Sequence, residues 1–159
     1  MLEKIKKLLD FSDKKQRFQF GRDMLEMIWL MQKQLNRYTF QENHLGDYDE
    51  VCDEKDQEDW GGLQHDWVQK YTLAIQQECA ELIESTNWKW WRTKVDLFDH
   101  QNIKVELIDI LHFWVSACQV MGLTAEDVFR MYSQKHRVNL DRLNSGYLEK
   151  NEDDCRHIK

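Results

Sequence analysis

The chain has 159 residues, a net charge of −7, 42% hydrophobic residues, six glycines and no proline. That length holds one domain with a sizeable core, and the hydrophobic content excludes a wholly disordered chain. The absence of proline disfavours a many-stranded sandwich with tight turns. The acidic balance excludes a broad grip on a nucleic-acid backbone, so no nucleic-acid partner is expected.

No 18-residue apolar run is free of charge, so no membrane span or membrane partner is expected. The N-terminal MLEKIKKLLDF threads lysines through its apolar residues and lacks the apolar core of a signal peptide. Cys52, Cys79, Cys118 and Cys155 are far apart with no CxxC pair. A reducing cytoplasm and no zinc site follow as expectations.

In chain order, residues 1–11 place Leu2, Ile5, Leu8 and Leu9 on one helical face, a short amphipathic helix with a packing or dimer role. Ser12 offers an N-cap for a second helix from Asp13 to about Tyr38. Its apolar positions Phe20, Met24, Met27, Ile28, Met31 and Leu35 follow a helical period. Residues 41–62 break the pattern: nine acids and one lysine lie between Gln41 and Trp60, which predicts a solvated acidic loop or insertion. A calcium loop is rejected there, because the positions that need an oxygen ligand and a glycine hold Val51 and Cys52.

Residues 65–87 form a third helix with Trp67, Tyr71, Ala74, Ile75, Cys79, Leu82 and Ile83 inside, followed by WKWWRTK at 88–94. The next helix, from about Ile103, carries KVELIDILHFWVSACQVM, apolar around nearly its whole circumference and therefore expected to be central and buried. Gly122 is placed to end it as a C′ residue, and Thr124 to Asp127 is a capping-box-like start for a last helix to about Asn144. A polar tail from Glu149 is expected to be mobile. The prediction is a single all-α domain over 1–159, a bundle of about five helices.

Glu106 and Asp109 sit three apart inside that apolar helix, where two carboxylates are costly unless something positive meets them. Lys or Arg partners, a shared proton or a metal ion would each serve. Glu78 and Glu81 repeat the spacing on the third helix. If the two helices pack antiparallel, four oxygen ligands converge, as a hard divalent cation requires. ExxE alone is common on helices, and Glu84 extends the row as a solvated stripe would. The weight rests on the acids within the apolar helix.

Two cationic segments suit phosphate oxygens: Lys89, Arg92 and Lys94 among three indoles, and Lys135, Asn139 and Arg142 on one face of the last helix. The structural alternatives are core packing with cation–π contacts for the tryptophans and an exposed basic face for the last helix. His112 reads as a satisfied core histidine or a partner to a carboxylate.

ECAELIEST-WKWW, KVELIDILHFWVS and KHRVNLDRLNSGY, in that order, resemble the dimeric all-α dUTPase family with its phage dCTPase/dUTPase relatives. This family lies within the MazG-like nucleoside triphosphate pyrophosphatases. LMQKQLNRYTF at 30–40 is similar to the family's first motif. The resemblance implies a four-helix metal-binding core in which Glu78, Glu81, Glu106 and Asp109 hold Mg²⁺, with Glu78 also activating water. It implies Gln32 and Asn36 at the base pocket, Trp90 and Phe113 lining it, and Lys89, Lys135, Asn139, Arg142 and Tyr147 on the phosphates.

The implied reaction is hydrolysis of dUTP to dUMP and pyrophosphate by a homodimer. A dCTP or broader nucleotide preference is the alternative, since a pocket amide such as Asn36 or Gln32 could be flipped to suit either base. A helical interaction module whose acids pair with its own Arg and Lys is the non-enzyme alternative.

Overall fold

The computed structural model describes residues 24–53, 62–93 and 99–146, together with Cys155 and Ile158. Within these lie five helices and no strand: α1 (Met24–Glu42), α2 (Tyr48–Asp53), α3 (Leu63–Glu84), α4 (His100–Val120) and α5 (Ala125–Asn144). The all-α expectation holds. The amphipathic segment 1–11, Ser12, residues 13–23 and most of the tail after Gly146 lie outside the described residues.

One helix was not expected. α2 forms within the acidic stretch read as solvated. Tyr48 and Val51, three apart, share one face of it and are almost wholly buried against Phe40, Tyr71 and Val120. Its acids face outward, where Asp49 meets Lys33 at 2.9 Å and Arg37 at 2.7 Å. The density of acids masked a two-residue apolar anchor.

α3 and α4 run antiparallel and make the main helix pair. Three contacts fix the direction: Asn102 bonds Ser85, Glu106 approaches Glu78 and Glu81, and Phe113 meets Tyr71 at 6.4 Å between ring centroids. α1 lies across the C-terminal half of α4, with Trp29 edge-on to Trp114 at 6.1 Å. Two apolar clusters result. One holds Phe40, Tyr48, Val51, Tyr71 and Val120, and the other Trp29, Val115, Cys118 and Ala125.

The α4–α5 turn forms as its residues predict. Gly122 takes a positive φ of 70°, with Leu123 N–H bonding Cys118 O and Gly122 N–H bonding Gln119 O, both at 3.0 Å. This is a Schellman motif, and it satisfies carbonyls that the helix end leaves open. Thr124 and Asp127 close a capping box at the start of α5.

The expectation that α4 is buried throughout needs correction. Val115, Ser116, Cys118, Gln119 and Val120 are buried, but Val105, Leu107 and Ile108 are about half exposed. Among the described residues α1 covers only the C-terminal half of α4, and the apolar side chains toward its N-terminal end stay open.

Candidate active site

Two helices bring three carboxylates together. Glu78, Glu81 and Glu106 offer oxygens that all lie within 4.8 Å of one another. Glu106 is buried at 6% exposure, Glu78 is half-buried and Glu81 exposed. The Glu106 position is held from within its own helix: Asn102, one turn earlier, donates to Glu106 Oε1 at 2.8 Å and to Ser85 Oγ at 2.7 Å. Asp99 caps that end of α4 by accepting from the Gln101 and Asn102 amides. Gln77 donates to Glu81 at 3.0 Å.

Burial, the Glu81 charge and a hydrogen bond with Glu106 all push the Glu78 carboxyl above its usual range, and Asp109 adds to the push. Asp109 lies one turn further along α4, half-buried and outside the three-carboxylate cluster. Of the four predicted ligands, three therefore converge and the fourth stands beside them.

The described ion pairs, Lys33–Asp49, Arg37–Asp49, Lys89–Glu84 and Arg130–Asp127, include none of these acids. Among the described residues the counter-charge explanation thus has no partner to offer. Carboxylate oxygens alone, packed this closely, are a donor set that fits a hard divalent cation such as Mg²⁺.

A second constellation joins α1, α2 and α4. Gln32 and Asn36, both about 6% exposed, form a buried polar chain with Tyr48, Ser116 and Gln119. Gln119 Nε2 donates to the Trp29 carbonyl at 2.7 Å, and Tyr48 Oη donates to Gln119 Oε1 at 3.0 Å. Asn36 Nδ2 donates to Tyr48 Oη at 2.8 Å and to Ser116 Oγ at 3.0 Å. Gln32 Nε2 donates to Asn36 Oδ1 at 3.0 Å, and Gln32 Oε1 meets His112 Nδ1.

The amides expected at a base pocket are thus brought together, but their polar atoms are engaged with the protein. His112 is the exposed end of the chain. It is neither a core histidine nor a carboxylate partner, because its ring nitrogen faces an amide oxygen.

The aromatic expectations fare unevenly. Phe113 stacks into the ring ladder Phe40–Trp67–Tyr71–Phe113 against the first apolar cluster, which orders it as a wall of the core. Trp88, Trp90 and Trp91 pack edge-to-face on one another and all stay exposed, Trp90 at 86%. None is a core residue. The segment is tied down by Glu84, which pairs with Lys89 at 2.6 Å and accepts from Trp88 Nε1 at 3.2 Å. Lys89 also lies over the Trp88 ring at 5.0 Å. Glu84 stays exposed, as a solvated row would, and also anchors this segment through Lys89 and Trp88.

On α5, Lys135 and Arg142 do share a face. Cys155 Sγ lies between them, 2.7 Å from Lys135 Nζ and 3.7 Å from Arg142 Nη2. Lys135 holds this thiol below its usual range. Asn139, Arg142, Leu143 and Gly146 line a cavity of about 370 Å³. Tyr147 and Lys94 lie outside the described residues.

The sequence reading missed Asn102, Tyr48, Ser116 and Gln119. Asn102 had a signal, standing one turn before Glu106 on the same face. Ser116 and Gln119, three apart in an apolar run, had the same kind of signal as the acids.

Residues 24–119, more than half of the chain, match the family model described as dUTPase. The chain belongs to the dUTPase family. The matched span holds the four acids and the α1 amides of this dUTPase-family protein, and stops before α5. The whole chain is 26% identical over 140 residues to the dCTP pyrophosphatase of Enterobacteria phage T4, covering 74% of this chain and 82% of that one. It is 32% identical over 88 residues to the dCTP pyrophosphatase of Enterobacteria phage LZ5, covering 48% and 51%. A DNA replication protein of phage T4 is 26% identical over 135 residues, of which the alignment covers only 34% of the relative. No solved structure matches. Placement among the all-α, MazG-like nucleoside triphosphate pyrophosphatases agrees with these likenesses. Among the described residues no single helix is long and apolar enough to cross a membrane.

Proposed function

We propose that this protein hydrolyses a deoxypyrimidine triphosphate, dUTP, to the monophosphate and pyrophosphate with the help of Mg²⁺. The observation that carries this is the meeting of Glu78, Glu81 and Glu106 from two antiparallel helices, with no cation among the described ion pairs to neutralise them. Glu78, Glu81 and Glu106, with Asp109 beside them, would hold Mg²⁺, which when bound neutralises polyphosphate charge and lowers the pKa of coordinated water. Burial and the neighbouring carboxylates raise the Glu78 carboxyl above its usual range, which suits it to orient water and receive its proton.

Lys89, Lys135, Asn139, Arg142 and Tyr147 are proposed to bind the phosphates. Lys89 must then leave Glu84, and Lys135 must leave Cys155. Trp90, already exposed, is free to close over a base. A homodimer would cover the open apolar face of α4 (Val105, Leu107, Ile108) and the stripe Phe129, Tyr132 and Leu143 on α5.

A second reading, dCTP as the substrate, is favoured by the names of the two phage relatives. Pyrophosphate release measured with Mg²⁺ across dUTP, dCTP, dTTP, dATP, dGTP and UTP tests both. Turnover of dUTP above the rest supports the first reading and turnover of dCTP the second. No release from any of the six would end both.

A further inference from the structure

The buried polar chain has a direction. Its inner end is the Trp29 backbone carbonyl, which only accepts. Gln119 must therefore turn its NH₂ toward Trp29 and its oxygen toward Tyr48. Tyr48 gives its one proton to Gln119 and so can only accept from Asn36. Asn36 then has its oxygen facing Gln32, which donates to it and turns its own oxygen to His112.

Ser116 provides a second anchor of the same sense. It donates to the His112 carbonyl at 2.8 Å and accepts from both Gln32 and Asn36 at 3.0 Å. No amide in the chain can flip without leaving two donors or two acceptors face to face in a buried site, which is the costly case. The idea that Gln32 or Asn36 flips to suit either base is thereby set aside.

The chain ends at Gln32 Oε1, an acceptor, so His112 must carry its proton on Nδ1. The neutral imidazole then presents Nε2 outward as an acceptor. His112 follows Glu106 by six residues of α4, a rise of about 9 Å that matches the reach from the polyphosphate of a nucleotide to its base, and it follows Asp109 by three on the adjoining face.

We propose that His112 is the ligand-contacting end of this network. Its Nε2 accepts from the pairing edge of the base, at N3–H of uracil or the N4 amino group of cytosine, and Gln119, Tyr48, Asn36 and Gln32 act as positioning residues that lock its tautomer. This rests on the nucleotide pyrophosphatase reading above.

Two measurements test it. Long-range ¹H–¹⁵N NMR on histidine-labelled protein at pH 8 reads the tautomer directly. His112 is expected as Nδ1–H in the wild type, with an Nε2–H population appearing once both anchors are removed, in the double variant Gln119→Leu/Ser116→Ala. An Nε2–H wild type, or a tautomer unmoved in the folded double variant, overturns the lock.

Steady-state kinetics test the contact. His112→Phe is expected to raise KM for the preferred triphosphate about tenfold, the worth of one hydrogen bond, with kcat within a few-fold. His112→Gln, which keeps an acceptor, is expected to recover part of the loss. An active wild type whose KM is unchanged in His112→Phe overturns the base contact alone. A wild type inactive on every nucleotide removes the nucleotide reading and the base contact together, whatever the tautomer.

Discussion

Replacing Gln119 by leucine tests the polar core most directly. Gln119 is 4% exposed and serves three partners: it donates to the Trp29 carbonyl at 2.7 Å, accepts from Tyr48 Oη at 3.0 Å, and sits 3.5 Å from Asn36 Nδ2. The three losses are unequal. The Trp29 carbonyl lies within α1 and keeps its helical partner, so little is lost there. Asn36 keeps Tyr48 and Ser116 as acceptors. Tyr48 is different: it is 1% exposed, and Gln119 Oε1 takes its only proton. Orphaning a buried hydroxyl costs about 1–3 kcal/mol, so Gln119→Leu should destabilise the fold by roughly that amount.

Urea unfolding followed by far-UV circular dichroism measures this as a lower midpoint at unchanged slope. Tyr48→Phe leaves Asn36 one acceptor short and should cost about 1 kcal/mol. In the double variant the orphaned hydroxyl no longer exists, so the two losses should fall short of their sum by about 1 kcal/mol or more. A Gln119→Leu protein within about 0.5 kcal/mol of wild type, or a strictly additive cycle, would refute the claim that Gln119 anchors the chain.

Glu78→Gln should abolish pyrophosphate release while leaving the melting temperature within a few degrees of wild type, because this half-buried carboxyl belongs to none of the ion pairs among the described residues. Stability should also fall in acid. Interactions with Thr124 and Arg130 hold the Asp127 carboxyl at about 2, below its usual 3.8. A depressed carboxylate contributes stability that is present above the unfolded value and lost as pH drops toward the folded one, so the contribution fades between about pH 4 and pH 2. Melting temperatures across that window should converge for wild type and Asp127→Asn, and a constant gap would contradict the assignment. Phe40→Ala, at 2% exposure in the aromatic ladder, should cost about 3–5 kcal/mol by the same urea assay. Light scattering should find a dimer, and Ile108→Glu on the open α4 face should shift it to monomer with circular dichroism unchanged.

Much of this architecture is readable from residue order alone. The long helices follow from apolar periodicity, and the α4–α5 turn from Gly122 and the Thr124–Asp127 pair, because such signals act within one turn of the chain. The paired acids were visible for a related reason: i, i+3 spacing places two carboxylates on one helix face whatever the helix packs against. Short-range geometry cannot say what that face meets.

Only the tertiary structure decided that Glu106 is the buried member of the set and that Glu84 anchors Lys89. The capture of Lys135 and Arg142 by Cys155, remote in the chain, was equally out of reach. Tyr48 was hidden because an acidic stretch reads as solvated until its single apolar face finds a core. The polarity of the buried amide chain was hidden more deeply still. Glutamine and asparagine offer both a donor and an acceptor, so residue identity leaves their direction open. It took the Trp29 carbonyl, more than 80 residues from His112 in sequence, to choose one.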